Sequence, residues 1–109
     1  MNATAAVYTL RNPNAVRTGE IHRVYFRIDA AEGQAVIVYD DCSSTKTEFV
    51  DVETARQEWA RLRGIGCVKG ESDRAARIVD WCVENMRKMR ALMESQPRIK
   101  AGDRWSTSA

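Results

Sequence analysis

The most constraining stretch of this 109-residue chain is its longest unbroken apolar run, Ala-Val-Ile-Val-Tyr at 35–39. Such a run cannot cross a bilayer as a helix, which takes about 20 apolar residues. It does suit a strand. Val36 and Val38 alternate onto one face, and Ile37 and Tyr39 onto the other. A strand that is apolar on both sides belongs in the middle of a sheet.

The flanking sequence supplies its neighbours. Residues 20–29 read as a long strand, with His22, Val24, Phe26 and Ile28 on one face. Ile21, Arg23, Tyr25 and Arg27 fall on the other. Ala31-Glu32-Gly33 is a compact turn, so 20–29 and 34–40 pair as a hairpin. Residues 5–11 form an earlier strand, closed by the breaker Asn12-Pro13-Asn14 and by Thr18-Gly19. Asp40-Asp41-Cys42-Ser43-Ser44 is a further turn, and 45–50 can add a fourth strand.

Beyond residue 50 the period changes from two to that of a helix. Asp51 is a good N-cap for a helix running to about Arg63, with Val52, Ala55, Trp59 and Leu62 on one side. Gly64 fits the left-handed position that ends it. The segment 64–70 is a glycine-punctuated connector with a short extended piece at 65–68. Ser72 can cap a second helix over about 73–95, which Pro97 stops. Its stripe is Ala75, Ile78, Val79, Cys82, Met86, Met89 and Met93. Trp81 and Leu92 widen the stripe on one flank and Ala76 and Val83 on the other.

The expected fold is α+β: a three- or four-stranded antiparallel meander followed by two helices packed on one face. Residues 1–95 form one domain, and 96–109, which include Ile99 and Trp105, form a flexible C-terminal tail. The net charge of +2 is too small to imply a polyanion partner by itself. The acidic excess lies in residues 1–54 and the basic excess in 55–109, and Arg outnumbers Lys 13 to 4. Cys42, Cys67 and Cys82 form no C-x-x-C pair, which argues against a disulfide framework and against a zinc site. The first seven residues lack the basic and apolar regions of a secretory signal, so a cytoplasmic protein is expected.

Few side chains carry the marks of catalysis. His22, the sole histidine, lies on an apolar strand face and reads as a hydrogen-bonded structural imidazole. Cys42 would need a base such as His22 and a lowered pKa to act as a nucleophile. Asp40 and Asp41 are adjacent, so they point to opposite sides and make a poor metal pair. Residues 64–70 lack both nucleotide-loop patterns and follow a helix rather than a strand. No metal and no cofactor are expected, and no small-molecule substrate is evident.

The candidate recognition residues are Arg23, Tyr25 and Arg27 on one face, with Tyr39 beside them, and Trp81 and Leu92 on the second helix. The passage at 45–66 resembles strand–turn–helix units of small bacterial and phage proteins: an aromatic strand, an acidic cap, then Ala55, Trp59, Leu62 and Gly64 at helical spacing. Capping and packing account for those residues, so the resemblance implies no function.

Two functions remain open. One is a non-enzymatic interaction or regulatory protein, binding a partner protein or forming a homodimer through an open sheet face and the wide second helix. The other is a single-stranded nucleic-acid or RNA binder that uses Arg23, Tyr25 and Arg27. A small enzyme built on Cys42 or His22 is the least supported.

Overall fold

Strand alternation and the turns between strands set the architecture, seen in a computed structural model that describes residues 5–70 and 73–95. Four strands, β1 (Ala5–Arg11), β2 (Arg23–Asp29), β3 (Gln34–Asp40) and β4 (Thr45–Asp51), form an antiparallel meander. Helix α1 (Val52–Gly64), strand β5 (Val68–Gly70) and helix α2 (Ala75–Ser95) follow. The fold is α+β, with sheet order β4-β3-β2-β1-β5. The fifth strand comes from the short extended piece, displaced toward Gly70. It returns to the far side of β1, where Thr9 pairs with Gly70 and Arg11 with Val68.

The helices do not share a face, which corrects the expected packing. Leu10, Val24, Phe26, Ala35 and Ile37 pack with Ala55 and Leu62 of α1. Tyr25, Val36 and Val38 pack with Ala75, Val79, Cys82 and Val83 of α2. The cause lies mainly in β3, whose alternate residues are apolar on both sides, with Tyr25 of β2 added to the second face. Burying one face therefore leaves the other needing a cover. Trp59 of α1 stands edge-on to Phe26 at 5.2 Å and to Tyr8 at 6.1 Å, which fills the α1 side with aromatic rings.

Local signals explain the element ends. Asp51 accepts the Thr54 main-chain N–H at 2.7 Å and caps α1 as expected. The left-handed residue after α1 is Gly66 (φ 111°), not Gly64, which is still helical. Cys67 N–H reaches the Leu62 carbonyl and Gly66 N–H the Arg63 carbonyl, the paired bonds of a Schellman ending. The second strand starts at Arg23 rather than 20 because Glu20 and Ile21 are engaged in the preceding loop. The Glu20 carboxylate accepts the Val16 and Arg17 N–H groups, and Asn12 Nδ2 donates to the Ile21 carbonyl. Ser72 and the tail at 96–109 lie outside the described residues.

Candidate interaction surface

The recognition residues expected together are divided among separate places. Tyr25 is 1% exposed, sealed beneath α2 with Val79 and Cys82. Arg27 donates to Asp80 of α2 at 2.9 Å, so its guanidinium is tied to the helix that covers this face. Tyr39 is on the opposite face. The β2–β3 register sets it against Val24, whereas Tyr25 faces Val38. Its hydroxyl donates to Glu58 Oε2 at 2.7 Å, and Arg61 holds that carboxylate at 2.7 Å and 2.8 Å. Burial, then the hydrogen bond to Glu58, push the Tyr39 phenol well above its usual range. Arg61 lowers the Glu58 carboxyl in return. Arg23 stays exposed near the start of β2.

The open sheet face is therefore corrected: α2 lies across it. A base has no route to stack on Tyr25 in this arrangement.

The groups considered for catalysis do converge on one shallow cavity of about 390 Å³, lined by His22, Asp40, Cys42, Arg11 and Arg23. The bonds of His22 and Asp40 hold main-chain loops rather than a thiol. His22 Nε2 lies 2.8 Å from the Arg17 carbonyl. One Asp40 oxygen accepts the Cys42 main-chain N–H at 2.8 Å. Cys42 is exposed, with φ 72°, in the turn between β3 and β4. Asp41 anchors that turn. It accepts the Ser43 and Ser44 N–H groups and the Ser43 hydroxyl, which hold its carboxyl down at about 2. Among the described residues no group of His, Cys, Asp and Glu is arranged to hold a metal ion.

A surface that the sequence only partly announces lies at the other end of α2. The helix has 21 residues, so it is about 31 Å long. Its packing partners run from β1 to β4, three strand spacings or about 14 Å. Its buried residues, Ala75, Val79, Cys82 and Val83, all lie in the first nine positions. Met86 and Met89 still line β4, and by length the last turns of the helix extend past the edge of the sheet. Beyond Val83 the apolar stripe stays exposed: Met86, Met89, Leu92 and Met93, the last at 71%. Trp81, at 62%, adds to them. A groove of about 580 Å³ runs between Trp81, Met86 and Met89 on one side and Thr45 and Thr47 of β4 on the other. Phe49 of β4 is also exposed, on the same face of the sheet.

Of the expected binding residues, Trp81 and Leu92 belong to this surface. Met86, Met89 and Met93 look like core in a helical projection, and Phe49 was not singled out. Helix length measured against the number of strands beneath it is the signal that separates them from core. A second cleft, of about 700 Å³, lies beside α1 and is walled by Tyr8, Phe26 and Trp59, with Arg56 and Lys69 lining it. No helix among the described residues is long and apolar enough to cross a membrane. Comparison with protein-family models, curated proteins and solved structures finds no match, so function is argued from these residues alone.

Proposed function

We propose that this chain is a non-enzymatic interaction protein that holds a protein partner on the projecting half of α2. The carrying observation is the run of exposed apolar side chains, Met86, Met89, Leu92 and Met93, beyond Val83, the last buried residue of α2, joined by exposed Trp81 just before it. A contiguous apolar surface on a small domain costs solubility unless something covers it. Methionine is suited to such a contact because its flexible thioether adapts to a partner's shape. Arg87, Lys88 and Arg90 lie among these residues and supply a cationic border, against Glu84 and Glu94. Such a border favours a partner whose rim is acidic.

The test is size measurement by light scattering, with the chain alone and after incubation in a lysate of its source cells. Wild-type protein is expected in a defined larger species. M89E/L92E is expected to leave that species while keeping its circular dichroism and melting curve, since both positions are exposed. A wild-type chain that stays monomeric in both settings overturns the proposal.

A further inference from the structure

We infer that the free edge of β4 is the contact for a second copy of this chain, joined in an antiparallel two-fold pairing centred on Thr47. The inference deepens the reading above by naming one partner. It stands on main-chain geometry rather than on the apolar half of α2, so the two can fail separately.

Among the described residues β4 is the terminal strand of the sheet, and it pairs with β3 without interruption over seven residues. It contains no proline and no bulge, two of the ways of blunting an edge, and its charged residues, Lys46 and Glu48, are of opposite sign. Its outward groups can be identified. Asp41 N–H donates to Ser44 and Val52 N–H to Gly33, at opposite ends of the same register. Hydrogen-bonded pairs alternate between them, so Lys46, Glu48 and Val50 spend their main-chain groups on β3. Thr45, Thr47 and Phe49 then point theirs at the open edge.

Side chains choose the register. A two-fold pairing that keeps each face matched must place one residue on the axis. An axis at Lys46 or Glu48 sets like charges against each other. An axis at Phe49 leaves Lys46 and Glu48 opposite valines, and one at Thr45 runs into the turn. Only an axis at Thr47 sets Lys46 opposite Glu48 of the copy, and Glu48 opposite its Lys46. Within one chain these two already sit 3.1 Å apart on one face. The pairing therefore makes a square of alternating charges, each lysine flanked by two glutamates. In the same register the edge groups of Thr45, Thr47 and Phe49 meet those of Phe49, Thr47 and Thr45.

The other face is compatible. α2 crosses β4 beside Thr45, where Cys82 Sγ lies 3.7 Å from Thr45 Oγ1. The copy's α2 crosses beside its own Thr45, which stands opposite Phe49. Thr45 and Phe49 are about 13 Å apart along the strand, room for two helices that pack at 8–10 Å. Each projecting half of α2 then extends over the copy's sheet and covers the exposed Phe49.

The experiment is sedimentation equilibrium on wild type, K46E, E48K and an equimolar mixture of the two variants, up to millimolar concentration. Wild type is expected as a dimer. Each variant alone places four like charges in the square and should weaken dimerisation by about tenfold or more. The mixture should recover a heterodimer, which also shows that both variants are folded. A copper-catalysed disulfide in T47C, made on a C42S background, should link two copies on the axis. A monomeric wild type overturns the inference. So does a dimer that neither charge change weakens, because it must use another surface; that result leaves the α2 reading standing.

Discussion

Arg27 on β2 and Asp80 on α2 are joined at 2.9 Å, a contact that closes the sheet face expected to be open. The pair is partly hydrated, since the Asp80 side chain is 71% exposed. It aligns the helix more than it holds it. Arg27→Ala and Asp80→Ala should each cost less than about 1 kcal/mol, with a coupling in a double-mutant cycle of about 0.2–1 kcal/mol. Chemical denaturation of the four proteins measures it. A coupling several times larger would mean that Arg27 is a principal anchor of α2.

The two apolar cores should respond differently from the projecting surface. Leu62, which is 2% exposed, lies beneath α1. Leu62→Ala should destabilise the fold by about 2–5 kcal/mol, while Leu92→Ala should stay within about 0.5 kcal/mol. Urea titration separates the two. Equal losses would place the end of α2 inside a core.

Acid should unlock the turn between β3 and β4. The Asp41 carboxyl is held at about 2 against an ordinary 3.8, first by the Ser43 and Ser44 main-chain N–H groups and then by the Ser43 hydroxyl. A lowered folded-state pKa means that ionised Asp41 favours the folded chain. Its contribution is complete well above the ordinary value of 3.8 and is lost as the pH falls through about 2. Asp41→Ala should therefore melt below wild type near neutrality, with the gap closing through about pH 2 and gone only below it. A difference as large in acid as at neutrality would rule out this linkage.

The thiols should separate by burial. Cys42 is exposed, whereas Cys67 and Cys82 are buried, and burial pushes the Cys67 thiol up. One equivalent of a thiol reagent should react quickly, and the other two only at the rate of unfolding. Cys42 also carries a left-handed φ of 72°. Cys42→Gly should therefore stabilise the fold by about 1 kcal/mol. A loss of stability would show that the side chain has a contact worth more than the strain.

Strands, turns and caps were legible because their causes are local. Period-two alternation marked β2 and β3, and the Asp51 side chain marked the start of α1. The end of α1 itself falls within a residue of the expected Arg63, but the positive-φ glycine is two residues later, at Gly66 rather than Gly64. A glycine followed by a glycine two positions later does not say which takes the positive φ; the bonds from Cys67 and Gly66 decide it. The candidate site was legible only in part. Trp81 and Leu92 stood out as off-stripe apolar residues, whereas Met86, Met89 and Met93 repeat at core spacing.

What the sequence determined by itself was therefore the inventory: an antiparallel meander, two helices, and more apolar surface than one helix–sheet contact can bury. The tertiary structure alone decided how that surplus is spent. Register is a relation between strands, and it moved Tyr39 to the face opposite Tyr25. With β3 apolar on both sides and Tyr25 of β2 on the second face, a helix on each face was the arrangement that removed both from water. A helix of 21 residues laid across four strands then had to project past β4, because its length is set by its own hydrogen bonds and not by the sheet beneath it.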